Sequence, residues 1–274
     1  MTLSAQDTVG FLVDYMKSAR SDVPREGKPV FWLGAGCSAH DGVPLNAELL
    51  RRAMPDDRGT WGSPQYRFDV FCDNIGADLS RADFLAPHVK RTPRPDSPYH
   101  GLTRLMRAGY ADVVFTFNID NLLEQAFHAA GLREHEDYEV VLVPELVPDV
   151  VAPRISPHHG PRLRIVKLHG DYRWGINFMT STEITQYPEA IRKAVEMWSG
   201  QPAVVCGYSF FHLNVLEAFS RTGSYMVYAN LQFPDAPMVL SLMSARNPKS
   251  AWFVDGDLGC FGGFIAALEE GLMP

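Results

Sequence analysis

The sequence predicts an α/β protein built on a doubly wound, mostly parallel sheet. Three observations carry that prediction. Short runs such as "PVFWLG", "DVVFTFN", "LRIVKLHG" and "PAVVCGYS" are apolar at every position, as suits strands covered on both faces. Stretches with apolar residues at helical spacing alternate with them along the chain. The strong strands also end in glycines or polar residues, at the edge where parallel sheets of this class bind ligands.

In chain order, residues 5–20 read as an amphipathic helix with Val9, Leu12, Val13 and Met16 on one side. "PVFWLG" is a buried strand, "NAELLRRAM" is helical, and 65–90 is helical with breaks. "SPYHGLTRLMRAGY" opens with Ser-Pro, a helix start signal, and carries apolar residues at helical spacing. "ADVVFTFN" is a strand, followed by the helix "IDNLLEQAFHAAG", whose closing glycine suits a C-terminal cap. "YEVVLV" is a strand, and segment 144–162, with five prolines and no period, is a loop. "LRIVKLHG" is a strand ending in glycine, and 181–198 is helical. "PAVVCGYS" (strand), "HLNVLEAFSRTG" (helix), "SYMVYAN" and "SAWFVDG" (strands) and "GCFGGFIAALEEGL" (helix) complete the alternation. No internal repeat or low-complexity tract interrupts it, so 1–274 is expected to be one domain, with 1–25 a helix preceding the nucleotide-binding core.

Composition narrows the function classes. With 274 residues, 46% hydrophobic and 21% charged, the chain has an ordinary globular composition and length for a large core. A formal charge of −7 argues against a dedicated nucleic-acid binder, since no general basic surface is left for phosphates. No apolar run approaches the roughly 20 residues of a membrane span, and the N-terminus has no basic start followed by a continuous apolar stretch, so neither membrane nor secretory leader is expected. Cys37, Cys72, Cys206 and Cys260 are widely scattered, without the paired spacing of a zinc site. Reduced thiols, no metal and a cytoplasmic location are the expectation.

The candidate site residues lie at the strand ends: Gly34-Ala35-Gly36, Thr116 to Asp120, His169-Gly170-Asp171, Gly207-Tyr208-Ser209 and Asn230. By the strand-end rule they converge on one crevice. Gly34-Ala35-Gly36-Cys37-Ser38-Ala39 fits a dinucleotide turn if alanine is accepted last, with helix-like residues resuming after Pro44. The acidic residue that normally follows about 20 positions on has no second strand to occupy; Asp56 and Asp57 fall between a helix and a loop. Asn118 and Asp120 follow an apolar strand that has no structural need of them, although either could be a helix N-cap. His169, before a glycine at the crevice mouth, is placed to exchange protons near neutral pH, although a structural role remains open. Cys37 near a helix start could have a lowered pKa or be a small filler. His158-His159 could touch a metal or lie in a solvated loop, and Tyr208, Phe210 and Phe211 could wall an adenine pocket or belong to the core.

Taken together, "GAGCSAHDGVP", "TFNID", "LHG", "GYS" and "YANLQ" resemble, in order and spacing, the sirtuin NAD-binding core: GAG-x-S with G-I-P, T-Q-N-I-D, H-G, G-T-S and I-N. The resemblance runs from about Phe31 to Asn230. Leu45-Asn46 stands where the deacylases carry Asp-Phe-Arg, Phe117 replaces glutamine, and the four zinc cysteines and the peptide-binding strand are missing. "KLHGDYRW" and "VVCGYSFFHLNV" resemble the bacterial sirtuin-like effectors that consume NAD in anti-phage defence.

That resemblance implies NAD as substrate and no metal. It implies that Asn118 holds a ribose hydroxyl or the attacking water, and that Asp120 binds the nicotinamide carboxamide. His169 would hydrogen-bond a ribose hydroxyl and act as base. Gly34, Ala35, Gly36, Gly207 and Ser209 would line the diphosphate, with Ser38 in the same turn and Asn230 at the adenosine ribose. It further implies a homo-oligomer that docks a partner ATPase or sensor chain. Hydrolysis to ADP-ribose and nicotinamide is the expected reaction. A non-catalytic NAD or ADP-ribose binding module and an NAD-dependent deacylase stay open as alternatives.

Overall fold

Strands with apolar side chains on both faces need covering helices on both, and that requirement organises the molecule. The computed structural model describes residues 3–20, 27–55, 62–75, 79–143, 154–155, 160–177, 180, 183, 188–210, 212–232, 237–246 and 251–273. The first half contains α1 (Ala5–Ala19), β1 (Val30–Leu33), α2 (Asn46–Ala53), α3 (Pro64–Ile75), α4 (Leu79–Val89), α5 (Pro98–Arg107), β2 (Val113–Thr116) and α6 (Leu122–Ala129). Then come β3 (Tyr138–Leu142), β4 (Leu163–Lys167) and a small hairpin of β5 (Gly170–Asp171) and β6 (Ile176–Asn177). The remainder is α7 (Glu189–Ser199), β7 (Ala203–Cys206), α8 (Leu213–Ala218), β8 (Met226–Ala229), α9 (Pro237–Ala245), β9 (Ala251–Val254), α10 (Gly256–Gly259) and α11 (Phe261–Leu272).

Seven strands form one sheet in the order β3-β4-β2-β1-β7-β8-β9, every neighbouring pair parallel. Central β1 pairs through Val30–Leu33 with Val113–Thr116 on one side and Ala203–Cys206 on the other. The chain leaves β1 toward β2 and leaves β7 toward β8, in opposite directions. The strand order therefore reverses between β1 and β7, where a ligand crevice opens beyond the carboxyl ends.

Alternation along each strand divides the core in two. Phe31 and Leu33 face α1, α5, α6 and α11, whereas Val30 and Trp32 face α7, α8 and α9. On the second face Trp32 stacks on Phe115 at 4.2 Å. Helix α1 is held at its start by a reciprocal Ser4–Asp7 capping box and buries Val9, Leu12, Val13 and Met16. It packs on α11 and β9, so the expected apolar stripe is spent on this chain's own core. Burying Leu12 and Met16 contributes on the order of 2 kcal/mol each. Ser97 accepts the Tyr99 N–H at the start of α5, with Pro98 in the first turn, as the Ser-Pro signal predicts.

Three local features depart from the sequence reading. The turn after β1 makes two 3-10 turns, Ala35–Cys37 and Ala39–Asp41, before α2 begins at Asn46, where the helical reading of "NAELLRRAM" places it. The reason is Asp41, whose carboxylate accepts the Arg94 N–H and the Ser97 hydroxyl, while Gly42 (φ +82°) turns the chain away. Helix α9 and the β5–β6 hairpin are additions. Of the predicted helix 181–198, Glu189–Ser199 is helical. Asp56, Asp57, His158, His159 and Phe211 lie outside the described residues.

Candidate active site

Two turns meet at the point where strand order reverses. The Gly34 N–H donates to Cys206 O at 2.9 Å and the Gly36 N–H to Gly207 O at 3.0 Å. A Cβ on Gly34 would sit 2.5 Å from Gly207 O and Tyr208 Cα, and one on Gly36 3.0 Å from Gly207 Cα. Gly207 adopts φ +58°, where a side chain is strained, and its Cβ would lie 2.7 Å from Cys37 N. These glycines are thus required by turn-on-turn packing, which already fixes the backbone at the crevice.

A cavity of about 340 Å³ opens beside this junction, within the usual size range of small-molecule sites. Ala35, Gly36, Asn118, Asp120, His169, Gly207, Ser209 and Asn230 all line it. Gly34 and Ser38 lie behind the wall. No lysine or arginine is among the lining residues. The Ala35 and Ser209 N–H groups donate to no acceptor among the described residues and are among the donors open to an anionic ligand.

Asn118 is buried immediately after β2. Its Nδ2 donates to Gly34 O and Ser38 Oγ, both at 3.0 Å, and to Tyr99 OH at 3.3 Å. Because the Gly34 carbonyl can only accept, the amide nitrogen must face it, and Oδ1 is left with no partner among the described residues. Ser38 Oγ donates to Asp120 Oδ2 at 2.7 Å, so the 2.8 Å contact between Ser38 and Tyr99 has the phenol as donor. Burial, and after it Asp120, raise the Tyr99 phenol well above its ordinary value, which keeps the donor protonated.

Asp120 also accepts the Leu122 N–H through Oδ1 at 3.1 Å, steadying the start of α6. Part of the capping role anticipated for this residue is therefore present. Burial pushes its carboxyl up to about 6, against the opposing pull of Lys167 and the Ser38 hydrogen bond. At neutral pH it is mostly ionised. Beneath it, fully buried Lys167 donates to Asp120 O, Glu124 Oε1 (2.9 Å) and Asp171 Oδ2 (2.6 Å). Burial works to lower the Lys167 pKa, but Glu124 and Asp171 outweigh it and the pKa is raised. Arg173 closes the network on Asp171 and Glu124.

His169 follows β4, 4% exposed, edge-on to the rings of Phe117 and His212, each 5.3 Å away. Its Nε2 is buried without a hydrogen-bond partner among the described residues. Burial first, and His212 second, hold the imidazole well below its usual pKa. At neutral pH the ring is a free base.

Sequence reasoning missed Tyr99, Lys167 and His212. Tyr99 and Lys167 are polar residues on helix and strand positions, and their partners Ser38 and Glu124 lie far away in sequence. His212 follows the "GYS" turn closely enough that its proximity was a usable signal. Of the two readings open for Cys37, the small buried filler holds: the residue ends the Ala35–Cys37 3-10 turn, and burial drives its thiol pKa well above the ordinary value. Tyr208 lines the cavity and stacks on Phe117 at 3.7 Å, while Phe210 sits in the core. Among the described residues no group of three or more His, Cys, Asp or Glu is placed to hold a metal, and no helix is long and apolar enough to cross a membrane.

Sirtuin structures are similar in overall course. One, of a Sir2 enzyme studied for mechanism and regulation, shares 15% identity at a TM-score of 0.47, covering 99% of this chain and 98% of the other. A second, concerning sirtuin substrate affinity, shares 17% at 0.46, covering 96% and 98%. A third, Sir2 bound to acetylated peptide, shares 16% at 0.44, covering 96% and 98%. At these scores the likenesses do not bear on the residues of the cavity. No curated protein matches the chain. Residues 112–232, which carry Asn118, Asp120, His169, Gly207, Ser209 and Asn230, match the SIR2-like domain family.

Proposed function

We propose that the chain is an NAD hydrolase that cleaves the nicotinamide–ribose bond to give nicotinamide and ADP-ribose. One observation carries the reading: Asn118, whose Oδ1 has no protein partner among the described residues, and His169, whose ring makes no hydrogen bond among them, line one cavity with an ionised Asp120. The bond electrons leave with nicotinamide and positive charge develops on the ribose. Asp120 binds the carboxamide N–H and opposes that charge. Asn118 Oδ1 accepts a hydrogen bond from a ribose hydroxyl or from the attacking water. As the water oxygen bonds to the ribose carbon, the His169 imidazole takes its proton, a contribution of about 10²–10⁴-fold, and later releases it to solvent. The free N–H groups of Ala35 and Ser209 hold the diphosphate, and Asn230 the adenosine ribose. Asn46 in place of the deacylase phenylalanine leaves the reacting carbon open to water.

The wider assignment rests on the sequence resemblance: a cytoplasmic homo-oligomer, triggered in bacterial anti-phage defence and docked to an ATPase or sensor chain. The test is incubation with NAD, alone and with candidate partner chains, followed by product analysis. Asn118→Ala and His169→Ala are expected to bind NAD within about tenfold of wild type and to lose turnover by about 10² or more. Nicotinamide release at the wild-type rate by either variant refutes the mechanism. A chain that binds NAD and never releases nicotinamide is a binding module.

A further inference from the structure

His212 is a second imidazole in the cavity, with no part in the reaction described above. Its ring stands edge to face against His169, centroids 5.3 Å apart, and its Nε2 lies 3.9 Å from Asp69 Oδ1 on α3. Asp69 and His212 are both buried. His212 sits at the N-cap position of α8 but makes no side-chain cap bond, so helix capping does not account for it. The chain reaches this position through Phe210 at φ +53°, a left-handed conformation that is rare for a bulky residue. Strained backbone of this kind concentrates at functional sites.

We propose that His212, anchored by Asp69, is a positioning residue for His169: a proton held on the His212–Asp69 pair keeps His169 a free base, so that the two rings share one proton and not two. The proposal deepens the hydrolase reading, since it concerns the base of that reaction. Asp69 supplies a counter-ion for a proton on His212, whereas no carboxylate among the described residues pairs with His169. The charged groups around His169 are otherwise committed. Lys167 and Asp171 pair with one another, and Asp120 is tied to Ser38 and Leu122. Phe117, on the other side of the ring, is apolar. A proton taken by His169 during turnover meets a neighbouring cation and is quickly surrendered, which regenerates the base.

The test is an imidazole titration of the full chain by 15N NMR, with His169 assigned by the signal lost in His169→Gln. In wild type the His169 ring titrates well below the ordinary imidazole range, held down by burial and by His212. In His212→Gln its titration moves up by one unit or more, a tenfold gain in proton affinity. Asp69→Asn moves it the same way by less and serves where His212→Gln does not fold. The acid limb of the NAD-cleavage profile rises with the NMR value. A His169 titration unchanged in both folded variants overturns the proposal, because burial alone then explains the neutral ring. A wild-type chain that releases no nicotinamide refutes the hydrolase reading, while the NMR shifts still decide the pairing of the two rings.

Discussion

Asp120→Asn tests the electrostatics of the site without any assay of function. Asp120 is fully buried, and its carboxyl titrates at about 6 in the folded chain. In the unfolded chain it titrates at about 3.9. The folded state therefore holds this proton more tightly. The resulting stabilisation is complete below about pH 3.9 and is lost as pH rises through about 6. The full loss is about two units, or roughly 3 kcal/mol at 1.36 kcal/mol per unit. About half has already occurred at pH 5, leaving about 1.4 kcal/mol between pH 5 and pH 8. Asparagine has no such loss. Its weaker acceptance from Ser38 and Leu122 costs about 1–3 kcal/mol, but that cost is independent of pH. The expected result is a stability difference that shifts toward the Asn variant by about 1.4 kcal/mol from pH 5 to pH 8. Urea unfolding at four pH values, followed by tryptophan fluorescence, measures it. A difference that stays flat with pH refutes the assignment of a costly buried carboxylate at position 120.

Other consequences follow from particular contacts. Lys167→Met leaves Glu124 and Asp171 with Arg173 as their only cation among the described residues, and is expected to destabilise by about 3–5 kcal/mol in chemical denaturation. Gly207→Ala forces a Cβ to 2.7 Å from Cys37 N at positive φ; a loss above roughly 1 kcal/mol is expected, and an unchanged melting temperature would contradict the turn-on-turn packing. Of the four thiols only Cys260 is exposed, so native protein should react with one equivalent of a thiol reagent and with all four after denaturation.

What was legible in the sequence was what local pattern and local chemistry specify together. The strands around β1 are apolar at every position because the sheet is covered on both faces, and that pattern survives in a single sequence. Asn118, Asp120 and His169 stood out because polar residues interrupt such runs where they end. Helix α9 was silent for the opposite reason. "PMVLSLMSA" has no polar face, so no helical period marks it. The 3-10 course after β1 depends on Asp41 reaching Arg94 and Ser97, more than fifty positions away. Tyr99 reaches Ser38, 61 positions away, and Lys167 reaches Glu124, 43 positions away, and a linear reading gives no reason to join them. The glycines illustrate a subtler limit. Their positions suggested room for a pyrophosphate, whereas Gly34 and Gly207 are demanded first by each other's turns.

Two buried networks converge on Asp120 from opposite sides. The neutral one, Tyr99 to Ser38, also grips Asn118; the charged one, built on Lys167, holds the Asp120 main chain. Neither reaches Asn118 Oδ1 or His169 Nε2. In a protein interior a polar atom left without a partner costs about 1–3 kcal/mol. A core selected for stability alone would fill both places with apolar atoms or supply each with a donor. Here the scaffold spends hydrogen bonds on fixing the nitrogen of Asn118, and none among the described residues on Asn118 Oδ1 or the His169 ring. Such an arrangement makes sense when a ligand supplies the missing partners at these two side chains. The rigidity behind the cavity and the vacancy in its hydrogen bonding are two sides of one arrangement, which favours a ligand with donors at those two points over any that lacks them.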